Sequence, residues 1–170
     1  MMAPLLMAVV IGMAGAPRGP WFEATSPQGA YTVAVPGHPY LQRSRMQDPD
    51  LGLCFAGSLV VKRASSAYSV GYLDETVRPA HETPQKFLHR ARNEFTNTRY
   101  SRLVSERSVT VGGYPALDFA LAVAGDHAVR VRMIVVGNRR YQLAAFVPAR
   151  EVASPTVERF LGSFRLARRR

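Results

Sequence analysis

The sequence predicts an α+β fold built on an antiparallel β-sheet, and three observations carry the prediction. Three consecutive runs in the last third, Leu117–Val123, Val129–Val135 and Tyr141–Phe146, alternate along the chain as strands do and are joined by glycine-containing turns. Gly112-Gly113 is a hairpin turn signal in front of them. Only two stretches, one opening at Thr83-Pro84 and one at Ser154-Pro155, have apolar residues at helical spacing. Strands that follow one another through short turns pair antiparallel, because a parallel pair needs a long crossover.

Taken in order, Trp21-Phe22-Glu23 begins the domain as a short strand, and Tyr31–Val35 is a second, stopped by Pro36-Gly37. Residues 41–52 are polar and include Asp48-Pro49-Asp50, so they read as a loop. Leu53–Lys62 and Tyr68–Leu73 read as strands joined by the Ala64-Ser65-Ser66 turn. Thr83 is a candidate N-cap, and Pro84 suits the first helical position. Phe87, Leu88, Ala91 and Phe95 share one helix face, with Lys86, Arg90 and Arg92 outside, and the helix fades near Asn97. Leu103–Val111 is the next strand. The final helix is capped by Ser154, opened by Pro155, and packs through Val157, Phe160, Leu161 and Phe164.

Side-chain parity sets the meander's expected register. Leu117, Phe119, Leu121 and Val123 form one row, and Val129, Val131, Met133 and Val135 form another. A three-residue loop at Gly125-Asp126-His127 places Leu121 opposite Val131 and Phe119 opposite Met133. The same reasoning favours an odd loop at Gly137-Asn138-Arg139, which pairs Val135 with Tyr141 and Met133 with Leu143. One face is then strongly apolar. The other carries Ala120, Ala122, Ile134, Ala144 and Phe146 beside Asp118, Arg130 and Arg132. That second face is too apolar to be simply solvated, so a helix or a partner covers it. The residues expected to form a partner-binding face are Asp118, Arg130, Arg132, Ile134, Ala144 and Phe146.

The chain has 170 residues, a net charge of +10, 20% charged and 47% hydrophobic residues, which suits one globular domain. A chain of this length buries about 68–70% of its unfolded surface. Arginine supplies the positive charge, since Lys62 and Lys86 are the only lysines, and the arginines are dispersed rather than clustered. Residues 1–16 are expected to form an export signal or N-terminal anchor. Leu5–Ala14 is apolar, and Ala14-Gly15-Ala16 offers small residues for cleavage, with a cut after Ala14 as the alternative because Pro17 follows Ala16. No lysine or arginine precedes that run, and it is shorter than the ~20 residues a spanning helix needs. No cysteine lies directly after it, so a lipid anchor is not expected. Residues 17–20 read as a linker, 21–167 as a single domain, and Arg168-Arg169-Arg170 as a basic tail. The expected location is exported, periplasmic or extracellular, and membrane-tethered if the N-terminus is not cut.

The sequence offers little chemistry. Cys54 is the sole cysteine, excluding an intrachain disulfide and a thiolate zinc site, and its apolar neighbours predict burial. His38, His81, His89 and His127 show no metal-ligand spacing, and His81-Glu82 runs into Thr83-Pro84. Asp48-Pro49-Asp50 lacks the later ligands of a calcium loop. No nucleophile elbow and no glycine-rich phosphate loop are present, so no cofactor is expected. Asp118 with Arg130 and Arg132 reads either as a ligand-anchoring cluster or, more plainly, as a surface ion pair across strands. The terminal arginines could touch anionic lipid; a solvated tail is the plainer reading. RNA-binding sheets expose aromatic residues, whereas Phe119 and Tyr141 fall on the expected core face, which argues against nucleic acid.

A set of short motifs in fixed order resembles the PsbP/Mog-type fold, which includes DcrB-like exported bacterial proteins. They are Tyr31-Thr32-Val33-Ala34-Val35-Pro36-Gly37-His38-Pro39, Tyr68-Ser69-Val70-Gly71-Tyr72, the helix around Phe87-Leu88, Gly113-Tyr114-Pro115, Gly137-Asn138-Arg139-Arg140-Tyr141-Gln142-Leu143 and Arg159-Phe160-Leu161-Gly162-Ser163-Phe164. The resemblance spans nearly all of the chain after residue 20. It implies an antiparallel sheet flanked by helices, an αβα sandwich, and relatives of known role that are non-enzymatic binders. It places no functional residue on this chain. The expectation is a non-enzymatic accessory domain that contacts an envelope protein, with a small-molecule carrier or sensor, its pocket between sheet and helix, as the alternative.

Overall fold

The computed structural model describes residues 19–48, 52–74, 82–96 and 101–167. The expected export signal, the first half of the linker, residues 49–51, His81 and the arginine tail lie outside the described residues, as does the side chain of Cys54.

Among the described residues, ten strands and two α-helices follow one another as β1 (Phe22–Ser26), β2 (Tyr31–Val35), β3 (Tyr40–Asp48), β4 (Gly52–Lys62), β5 (Ala67–Asp74), α1 (Pro84–Thr96), β6 (Ser101–Val111), β7 (Tyr114–Val123), β8 (His127–Val136), β9 (Arg139–Pro148), α2 (Pro155–Gly162) and β10 (Arg165–Leu166). Seven strands form one antiparallel sheet in the order β3-β4-β5-β9-β8-β7-β6, and β1-β2-β10 form a second, three-stranded one. The α+β class and the sheet flanked by helices are as expected. The small sheet is an addition: β1 and β2 do not join the main sheet but lie with α2 over one of its faces.

Both helix starts follow the sequence. The Lys86 backbone N–H donates to Thr83 Oγ1 at 3.3 Å, and the Val157 N–H to Ser154 Oγ at 3.4 Å, each satisfying an otherwise orphaned donor. The α1 stripe of Phe87, Leu88 and Ala91 is buried against Leu117, Phe119, Leu121, Val131, Met133 and Val135 of the main sheet. The opposite face of the sheet presents Ala116, Ile134, Tyr141, Leu143, Ala145 and Val147 to Val157, Phe160, Leu161 and Phe164 and to Tyr31, Val33 and Val35 of β2.

Three expectations are corrected. Residues 40–48 are not a loop: they pair along their whole length with β4, Tyr40 opposite Val60 through Asp48 opposite Gly52. Their polar sequence suits an edge strand, whose pairing needs backbone groups on one side only. The β7–β8 loop is three residues long but is Ala124-Gly125-Asp126, so Leu121 faces Val129, Phe119 faces Val131 and Leu117 faces Met133. Gly125 and Asp126 adopt positive φ (77° and 55°), which sets both inside the loop. Because the slip is by two residues, every side chain keeps its expected face.

The β8–β9 connection differs by one residue, with larger consequence. Its loop is the two-residue Gly137-Asn138, Val136 faces Arg139, Ile134 faces Tyr141 and Arg132 faces Leu143. Gly137 has φ +59° while Asn138 does not share the positive region, the arrangement that a two-residue hairpin with glycine first adopts. Tyr141 and Leu143 therefore sit on the α2 face, and Ala144 and Phe146 on the α1 face, the reverse of the expected assignment.

Candidate functional site

The six residues expected to form a partner-binding face do not share one. Asp118, Arg130, Arg132 and Ile134 lie on the α2 face of the sheet. Ala144 faces Val131 and Phe146 faces Val129, both on the α1 face. The Phe146 ring stacks on His127 at 4.7 Å. Ile134 and Asp118 are buried, so neither offers contact surface. A helix supplies the cover over this face, α2, together with the small sheet.

What remains is a charged cluster around Asp118 at the margin of that cover. The Asp118 side chain is 0% exposed, which excludes a plain surface ion pair. Arg132 donates to it twice, Nε to Oδ1 at 2.6 Å and Nη2 to Oδ2 at 2.8 Å, and its Nη1 donates to the Leu161 carbonyl at 3.0 Å. That third bond satisfies a carbonyl in the last turn of α2, where a cation also suits the helix dipole. Arg132 thus ties sheet to helix. Arg107 of β6 lies directly opposite Asp118 and donates from Nη2 to Oδ2 at 3.2 Å. Arg130 brings its Nη2 to 3.5 Å from the same oxygen and to 3.9 Å from Glu158 Oε1 of α2. Burial alone would push the Asp118 carboxyl up. Hydrogen bonding from Arg132, the charges of Arg132 and Arg130, and the Arg107 hydrogen bond outweigh burial and hold it below the usual carboxylate range. The same contact holds the Arg132 guanidinium above its ordinary value despite burial.

Arg107 was absent from the residues picked out in the sequence, although a signal existed. A two-residue turn at Gly112-Gly113 places Val111 opposite Tyr114 and, counting back, Arg107 opposite Asp118. Before Ser105 that count fails, because a bulge at Val104 shifts the register and sets Leu103 opposite Leu121 and Arg102 opposite Ala122. A second fork, Arg139 on Asp74 at 2.5 and 2.7 Å with the guanidinium 4.5 Å from the Tyr72 ring, lies at the far end of β9 and is more open, Asp74 being 41% exposed. Among the described residues no group of three or more His, Cys, Asp or Glu side chains could hold a metal ion, and no helix is long and apolar enough to cross a membrane.

The architecture is that of PsbP and Mog1p. Cyanobacterial PsbP (CyanoP) from Synechocystis sp. PCC 6803 superposes with a TM-score of 0.56 at 10% identity, over 91% of this chain and 97% of that one. The Ran-binding protein Mog1p of Saccharomyces cerevisiae superposes with a TM-score of 0.55 at 13% identity, over 88% of this chain and 96% of that one. LpqN of Mycobacterium tuberculosis, described as involved in cell envelope biogenesis, aligns at a TM-score of 0.49 and 15% identity over 87% of this chain and 79% of that one. No family model matches the sequence, and no curated protein does. The chain therefore has the PsbP/Mog-type fold that its motif order resembles, and at these identities the likeness is one of fold.

Proposed function

We propose that this chain is an exported, non-enzymatic accessory domain that works by protein contact in the cell envelope. The observation that carries the reading is the cluster at the uncovered margin of the α2 face, where three guanidiniums surround one buried carboxylate and one of them, Arg107, is 61% exposed. One carboxylate balances one guanidinium. The surplus charge is suited to contact with another molecule. The fold is also used by a Ran-binding protein, which is support by analogy. The apolar run Leu5–Ala14 followed by small residues supports export. The carrier alternative gains no support from the described residues between α1 and the sheet, where Phe87, Leu88 and Ala91 pack directly on Leu117, Phe119 and Met133.

Crosslinking the tagged protein in its native cell, followed by mass spectrometry, is expected to recover one stoichiometric envelope protein and the processed mass of the domain. Recovery of cytosolic proteins alone, or of the full-length chain in the cytosol, overturns the reading.

A further inference from the structure

We propose that the basic edge formed by Arg107 and Arg130 receives a side-chain carboxylate from an acidic segment of a protein partner. This rests on the protein-contact reading and names its site and chemistry.

The three arginines of the cluster are not equally used. Arg132 spends its Nε, Nη1 and Nη2 on Asp118 and on the Leu161 carbonyl. Arg107 engages one terminal nitrogen at 3.2 Å, and most of its side chain faces solvent. Arg130 is the unusual member. Its side chain is 14% exposed, its closest carboxylate oxygen is 3.5 Å away, and its buried Nε has no hydrogen-bond partner among the described residues. Buried donors in folded proteins are nearly always paired, because an unpaired one forfeits its hydration without return. Arg130 therefore holds one unmet donor, Nε, beside the solvent-exposed guanidinium of Arg107. Counting Glu158, which is 49% exposed, the cluster still has three cations against two carboxylates.

On this face the neighbours of Arg130 are small: Ala120 is directly opposite, Ser105 lies beyond it on β6, and Ala122 faces Ala128 one step along. Arg102, opposite Ala122, is exposed and has no ion-pair partner among the described residues, so it extends the positive rim. The anion is a carboxylate because the cluster already accommodates two, with the planar guanidinium fork suited to bidentate pairing. Glu158 stands 3.9 Å from Arg130, beyond hydrogen-bond distance, as a weak internal competitor that a better-placed carboxylate displaces. A narrow side chain reaches a guanidinium that is mostly buried. A phosphate polymer or a lipid surface would instead bring its dense charge against Glu158.

The test is fluorescence anisotropy of a fluorescein-labelled hexaglutamate peptide titrated with the full chain at low salt. Arg107→Gln and Arg130→Gln are each expected to weaken binding about tenfold, and Glu158→Gln to tighten it about threefold. Lys62→Gln, which removes the same charge from β4, three strands away from β8, is expected to leave binding unchanged. Circular dichroism melts confirm folding. Arg107→Gln carries the test if Arg130→Gln does not fold, since Arg107 is largely exposed. Equal losses for Lys62→Gln and Arg107→Gln would show attraction by net charge alone and overturn the site. So would tighter binding of a DNA duplex or of phosphatidylglycerol vesicles, which would mark a phosphate surface instead. A partner recovered by crosslinking whose capture is indifferent to Arg107→Gln sinks this site and leaves the protein-contact function standing.

Discussion

On one side of the main sheet, Phe87, Leu88 and Ala91 of a single helix rest on Leu117, Phe119 and Met133, and the charged pairs stay at the rim, with Arg92 2.6 Å from Glu106. On the other side, α2 and the small sheet meet the strands through aromatic rings whose polar ends are tied down. The Tyr31 hydroxyl donates to the Val70 carbonyl at 3.2 Å and the Tyr141 hydroxyl to the Gly29 carbonyl at 2.8 Å, while the rings of Tyr31, Tyr141 and Phe164 lie within 6.0 Å of one another. The Ala34 N–H donates to Ser163 Oγ at 2.9 Å, and Arg132 reaches the end of α2. The interior of the α1 face is packed by volume, with its polar contacts confined to the rim. The α2 face needs volume and directional bonds, because it must hold a second sheet and a short helix in one position. Directional contacts specify a unique arrangement that apolar packing by itself leaves loose.

The largest expected effect separates the two faces by cavity size. Phe160→Ala removes a fully buried ring that meets Tyr68 edge-on at 5.3 Å, and is expected to cost about 3–5 kcal/mol; Leu88→Ala on the α1 face is expected to cost about 2–3 kcal/mol. Urea unfolding of both variants checks the order, and a larger loss at Leu88 would break the contrast.

Next comes the buried charge. Asp118→Asn leaves three guanidiniums facing a neutral amide and is expected to cost about 3 kcal/mol at pH 7. The Asp118 carboxyl is held low in the fold, so its contribution is complete above the unfolded carboxylate value of about 3.9 and is lost as pH falls through the lower folded value. The variant should therefore show a flatter acid limb than the wild type in melts run below about pH 4. An unchanged acid limb would mean that the cluster adds nothing to folding.

At the alkaline end the same face is sensitive again. Burial pushes the Tyr31 hydroxyl up to about 12. An unfolded tyrosine ionises near about 10, so the stabilisation is complete below that pH and declines as pH rises through the folded value. Tyr31→Phe is expected to flatten the loss of stability between about pH 10 and 12, at the cost of about 1 kcal/mol at neutral pH for the lost bond. The smallest effect compares the caps. Ser154→Ala is expected to cost about 1 kcal/mol and Thr83→Ala less, since the Ser154 bond is partly buried and the Thr83 bond exposed.

Much of this contrast was readable beforehand. The α1 stripe, both caps and the apolar residues of α2 are local features, because helical spacing and capping chemistry act within one or two turns. Strand parity placed Asp118 on the same face as Arg130 and Arg132, the observed two-residue slip set it directly opposite Arg132, and its pairing with Arg107 was recoverable from the Gly112-Gly113 turn. The exchange of Tyr141 and Leu143 with Ala144 and Phe146 was not readable from parity. Both faces of β9 carry apolar residues, so hydrophobic alternation gives no preference between registers one residue apart. Turn chemistry at Gly137-Asn138 broke the tie.

Local sequence thus specified both helices, most of the strands and the antiparallel order of the meander, since periodicity, caps and turns are properties of neighbouring residues. Tertiary structure decided the rest. Residues 40–48 became a strand because β4 offers them backbone partners. Asp118 became a buried carboxylate because Arg107, Arg130 and Arg132 gather on it from the neighbouring strands, with α2 held beside them. Both outcomes depend on groups far apart in the chain, and burial and long-range pairing exist only once those groups have met.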